Sequence, residues 1–73
     1  MLIQTEVGRA EVVAKQVGAL TGVVSSEYVT GPYDVVVRVG AVDEPAMGDI
    51  VAAVQSVEGI TRTLTCPITG ASH

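Results

Sequence analysis

The chain has 73 residues, 48% of them hydrophobic and 16% charged, and a formal net charge of −4. That length allows one domain with a small core, the apolar content excludes disorder, and one cysteine with one histidine, at the last position, excludes an internal disulfide and a Cys/His zinc site. The four basic residues, Arg9, Lys15, Arg38 and Arg62, are scattered, a poor footprint for nucleic acid, whose phosphates need clustered Lys and Arg.

Hydrophobic periodicity divides the chain into six pieces. Residues 1–6 read as a short strand. Residues 9–20 read as a helix, with Ala10, Val13, Ala14, Val17 and Leu20 on one stripe. Gly18 weakens it by roughly 1 kcal/mol relative to Ala, and Gly22 marks its stop. Residues 23–30 are β-branched and polar, a strand, and Gly31-Pro32 signals a turn. Residues 33–39 form a strand with Tyr33, Val35, Val37 and Val39 on one face. A second helix begins near Asp43, which can cap it, with Glu44 and Pro45 in its first turn. Its stripe is Met47, Ile50, Val51, Val54 and Val57, and Gly59 closes it. Residues 60–66 are a strand with Ile60, Arg62, Leu64 and Cys66 on one parity and Thr61, Thr63 and Thr65 on the other. Pro67 ends that ladder, so the domain spans 1–67 and 68–73 is a polar tail.

The order is βαββαβ, and it reads as a duplication. A shift of 37 carries the first stripe onto the second and Gly22 onto Gly59. Two βαβ units of this size predict an α+β, ferredoxin-like sandwich, with both helices on one face of a four-stranded antiparallel sheet. The other face is expected to carry Val36, Arg38 and the Thr61, Thr63, Thr65 row. That is too β-branched for a solvated face, and a second subunit laid sheet to sheet would bury it. A chain this small without disulfide or metal gains most from such a partner.

Catalytic constellations are scarce. The lone histidine in the tail leaves Ser–His or Cys–His activation without a placed base. Cys66 before a proline reads as a small buried hydrophobe. Asp43-Glu44 is explained by helix capping, and no phosphate loop occurs. No apolar run approaches the length of a membrane span, and Met1 leads straight into strand-like residues without a signal peptide. These features place the chain in the cytoplasm, with no membrane partner and no cofactor.

The segment Tyr28-Val29-Thr30-Gly31-Pro32-Tyr33-Asp34 stands apart. Both tyrosines of the chain flank a tight turn and a carboxylate follows at once. One reading is a hairpin whose Asp34 ties down the loop backbone. The other is a small polar pocket: an aromatic wall, a carboxylate for an ammonium, and hydroxyls and backbone N–H groups for a carboxylate. The threonine-rich last strand can supply hydroxyls, although threonine is also simply favoured in strands.

Three stretches, Gly22-Val23-Val24, Thr30 to Val39, and Val57 to Thr65, together resemble the effector-binding domain of the leucine-responsive regulatory protein/asparagine regulator (Lrp/AsnC) family. The resemblance runs from about Leu2 to Pro67. It implies a ferredoxin-like fold that dimerises through its sheets into an α/β barrel, dimers that assemble into larger even rings, often octamers, and an amino acid or related metabolite bound between dimers near the second turn. By motif the ligand site maps to Thr30, Gly31, Tyr33 and Asp34, with Thr63 and Thr65 as further candidates. Family members carry an N-terminal helix-turn-helix domain, which is not seen here, so DNA binding is not carried over, and full-length relatives are possible partners. The resulting expectation is a non-enzymatic, homo-oligomeric amino-acid sensor. Two alternatives share the topology: a cofactor-free dimeric α/β-barrel enzyme of monooxygenase or isomerase type, using Tyr28 or Tyr33 with Asp34, and an ACT-like regulatory module.

Overall fold

The computed structural model describes residues 1–40 and 44–66; the expected cap Asp43 and the tail after Cys66 lie outside the described residues. The elements follow in the expected order: β1 (Leu2–Thr5), α1 (Ala10–Gly18), β2 (Val23–Tyr28), β3 (Val35–Val39), α2 (Glu44–Gln55) and β4 (Ile60–Leu64). The four strands form one sheet in the order β2-β3-β1-β4, with every neighbouring pair antiparallel. This is the ferredoxin-like α+β arrangement.

The core lies between the helices and one sheet face. Val13, Ala14 and Val17 of α1 and Ile50 and Val54 of α2 bury themselves against Ile3, Val35 and Val37. Ala10, Leu20, Val51 and Val57 pack at its margin. The 3.6-residue stripe therefore identifies the inward side of α1 and of α2 from Ile50 onward, whereas Met47 lies outside the core cluster and lines a groove. The period-two pattern likewise identifies the inward side of β3, where Val35 and Val37 are buried and Val36 faces away. The strands are shorter than the periodicity suggests, because β2 ends at Tyr28 and β3 begins at Val35. The tight Gly31-Pro32 turn is thus part of a six-residue connection. β2 is also an edge strand of the sheet.

The duplication is visible in three dimensions. Gly22 and Gly59 both adopt positive φ, 91° and 98°. A Cβ on Gly22 would lie 2.4 Å from Ile50 Cδ1, and one on Gly59 would lie 3.2 Å from Val13 Cγ2. The same offset of 37 relates Gly22 to Gly59 and Val13 to Ile50. Each half therefore presents a bare backbone to the helix of the other half. The edge strands match too. β2 carries one extra residue at Val24, and β4 one at Thr61, again 37 apart.

The bulge in β4 corrects the expected face of the threonine row. Gln4 pairs with Arg62 but Thr5 pairs with Ile60, so Thr61 is the unpaired extra residue. A single inserted residue switches parity at that point. Ile60 packs on the core, and Thr63, opposite Ile3, accepts a hydrogen bond from Gln55 Nε2 of α2 at 3.0 Å. Thr63 therefore faces the helices, and Arg62 and Leu64 take the open face. Thr61 instead donates from its hydroxyl to the Gln4 carbonyl at 3.2 Å. Cys66 is corrected as well: it is exposed, because the ladder stops at Leu64 and leaves Thr65 and Cys66 beyond it.

Candidate functional site

The connection between β2 and β3 is held to β1 from three sides. The Asp34 N–H donates to the Ile3 carbonyl at 2.8 Å, and the Val29 N–H donates to the Asp34 carbonyl at 2.8 Å. Gln4 Nε2 donates to the Pro32 carbonyl at 2.9 Å. The Asp34 carboxylate reaches the same strand, its Oδ2 accepting from the Thr5 N–H at 2.8 Å. Asp34 therefore does tie down backbone, but the backbone is that of β1 rather than its own hairpin. Its Oδ1 has no partner among the described residues.

Around Asp34 the turn stays open. Thr30, Gly31 and Pro32 are exposed, and Tyr33 and Asp34 are half-buried. Gly31 has φ +150° and nothing lies within 4 Å of the place its Cβ would occupy. The N–H groups of Gly31 and Tyr33 donate to no described residue. Two unused donors, an aromatic ring and a carboxylate with one free oxygen thus sit between Gly31 and Asp34, on a segment fixed to the sheet. That arrangement offers hydrogen bonds of both polarities, which a zwitterionic small molecule requires.

The predicted site residues divide into two groups. Thr30, Gly31, Tyr33 and Asp34 are together, at the end of the sheet where β1 finishes at Thr5. Thr63 lies two strands across from β3, paired with Ile3 and engaged by Gln55. Thr65 lies beyond the opposite end, where β4 runs past Leu2. Within one chain, neither threonine joins the turn. Gln4 is missing from the sequence reading of the site; a lone glutamine in a short strand carries no sequence signal, and only the fold shows it reaching Pro32.

Two concavities occur elsewhere. A groove of about 800 Å³ lies between the end of α1 and α2, lined by Leu20, Thr21, Gly22, Gly40, Ile50 and Ala53 among others. A second one of about 650 Å³ includes Leu2, Val36, Arg38, Met47, Thr65 and Cys66. Neither contains a residue of the 28–34 turn. The larger groove is mostly apolar, with Asp49 as the charged residue among its described lining. Among the described residues there is no cluster of metal-ligating side chains, and no helix is long and apolar enough to cross a membrane.

The family model of the Lrp/AsnC ligand binding domain matches residues 1–71. Among solved structures, TTHA0845 from Thermus thermophilus superposes with a TM-score of 0.88 at 32% identity, over 99% of this chain and 91% of that one. The hypothetical protein PHS023 from Pyrococcus horikoshii superposes with a TM-score of 0.77 at 18% identity, over 99% and 92% of the two chains, a likeness of fold. No curated protein matches the chain. With the family model spanning nearly its whole length, the chain belongs to the Lrp/AsnC ligand-binding domain family, a family of regulatory effector-binding domains.

Proposed function

We propose that this chain is a cytoplasmic, non-enzymatic domain of transcriptional-regulator type that binds an amino acid or a related small metabolite and acts as a homo-oligomer. The observation that carries the reading is the turn itself. In a chain of this family, the Gly31 and Tyr33 N–H groups are unused beside the half-buried Asp34 carboxylate. An amino acid has one ammonium and one carboxylate a few bonds apart. Asp34 Oδ1 takes the ammonium, directly or through one water. The two N–H groups take the carboxylate, and Tyr33 packs on the side chain. Thr30 lines the approach. Thr63 and Thr65 contribute only from a neighbouring copy.

Assembly completes such a site. The open sheet face is covered by a second copy, sheet to sheet, and dimers pair into an even ring that walls the turn. The described residues form no helix-turn-helix; in this reading, full-length helix-turn-helix relatives in a mixed assembly carry the action on DNA. Thermal shift with each of the twenty amino acids tests the reading. An effector at about 100 times its Kd stabilises by about 2.7 kcal/mol, a clear rise in Tm for one or a few related amino acids. No shift with any of them, at concentrations up to about 10 mM, overturns the assignment of an amino-acid effector; the concentration covers millimolar affinities.

A further inference from the structure

The sheet face turned away from the helices carries three charges that no described residue pairs. Glu27 on β2, Arg38 on β3 and Arg62 on β4 are exposed, and none forms an ion pair with a described residue. The registers place them there. Glu27 is opposite Val36, Arg38 opposite Ser25 and Arg62 opposite Gln4, whereas the intervening Val35, Val37 and Ile3 are buried under the helices. Between the charges runs an apolar row. Val36, Leu2 and Leu64 stand side by side across β3, β1 and β4, and Glu27 ends the row on β2. Leu64 is 45% exposed.

Glu27 and Arg62 cannot meet within one chain. They stand on the two outer strands of the order β2-β3-β1-β4, about 14 Å apart at roughly 4.8 Å per strand. Opposite charge at opposite edges, with an apolar stripe between, makes the face complementary to itself. A two-fold axis running along the strands lays β2 of one copy over β4 of the other. A two-fold across the strands lays β2 over β2 and β4 over β4, which sets like charges together. Burial of Glu27 without a partner is also strongly unfavourable.

We propose that Glu27 pairs with Arg62 of the partner subunit across a sheet-to-sheet contact, and that this pair, formed twice per dimer, fixes the orientation of the two sheets. The proposal rests on the homo-oligomer reading above. The occupant of the face is a second copy of this chain: this two-fold keeps each row at its own level, so Glu27 falls over β4 of the other copy at the level of Leu64, and Arg62, two residues or about 7 Å along that strand, is the nearest cation to it. Arg38 is not the partner of Glu27. It stands on β3, which this geometry sets over β1 of the other copy, where the open-face positions are Leu2 and Gln4.

Charge exchange tests this directly. The dimer dissociation constant is measured by sedimentation equilibrium for the parent chain, Glu27→Arg, Arg62→Glu, the double exchange Glu27→Arg/Arg62→Glu, and Glu27→Arg/Arg38→Glu, with circular dichroism confirming the fold of each. Both side chains are exposed in the single chain, so the fold tolerates the changes. Each single reversal raises the dissociation constant at least about tenfold, and the Glu27/Arg62 exchange returns it to within about threefold of the parent. A parent that dimerises with singles unaffected, or with rescue by Arg38→Glu instead of Arg62→Glu, overturns the pairing and leaves the sheet-to-sheet dimer standing. A parent that stays monomeric overturns that dimer and the pairing with it.

Discussion

Asp34 gives one carboxylate oxygen to the fold and, in the proposed function, the other to the effector. One oxygen holds the Thr5 N–H at 2.8 Å and the other has no described partner. Its two roles can be separated by substitution. Asp34→Ala removes both oxygens, leaves the part-buried Thr5 N–H without its acceptor, and costs about 1–3 kcal/mol of stability. It also weakens effector binding about tenfold to a hundredfold, by roughly the 1.5–3 kcal/mol of a charge-assisted hydrogen bond. Asp34→Asn keeps a carbonyl oxygen for Thr5 and removes the charge. It should leave Tm within a few degrees of the parent yet lose nearly as much affinity by calorimetry. Unchanged affinity with a lowered Tm would reduce Asp34 to a tie between turn and sheet. Ser26 gives a second prediction at this scale. Its Oγ is buried on β2 with no hydrogen-bond partner among the described residues, an arrangement that costs free energy. Ser26→Ala should therefore raise Tm by a few degrees, roughly 1 kcal/mol; a fall in Tm would show that the hydroxyl is used.

At the scale of elements, the glycines separate by what surrounds them. Gly22 has φ +91° and Ile50 Cδ1 would stand 2.4 Å from an added Cβ. Gly22→Ala combines a left-handed backbone with a core clash, so it should cost at least about 2 kcal/mol, read as a lowered midpoint in urea. Gly48 lies inside α2 and nothing would approach its Cβ within 4 Å. Gly48→Ala should instead stabilise by about 0.5–1 kcal/mol through helix propensity alone. The helices are legible in the sequence because their apolar stripes recur at a fixed period, and all five residues of the α1 stripe pack as expected. The outward face of β4 is not legible. The extra residue Thr61 leaves no mark in composition, since threonine suits a regular strand as well as a bulge, yet it moves Thr63 under α2 and Arg62 and Leu64 into the open. The grip of Gln4 and Asp34 on β1 and its neighbouring turn is equally hidden, because it depends on β1 lying beside β3, a pairing between residues about thirty positions apart.

For the molecule as a whole, the exposed sheet face is the feature that sequence and fold share. The pattern predicts an uncovered β-branched face, and Val36, Leu2 and Leu64 do line up on it, although Thr63, expected beside them, does not. What no pattern reveals is how copies meet, since complementarity between surfaces is absent from local periodicity. The net charge of −4 and the dispersed basic residues also predict that the purified chain alone gives no gel shift with duplex DNA at about 150 mM salt; a shift that survives that salt would require a basic surface this chain lacks. The proposed site depends most on assembly, because neither groove described includes the turn and the helices leave one sheet face bare. Light scattering coupled to size exclusion at micromolar concentration measures this directly. The predicted mass is an even multiple of the 7.5 kDa chain, a dimer at least; a stable, folded species of 7.5 kDa would contradict the account and remove the interface site with it.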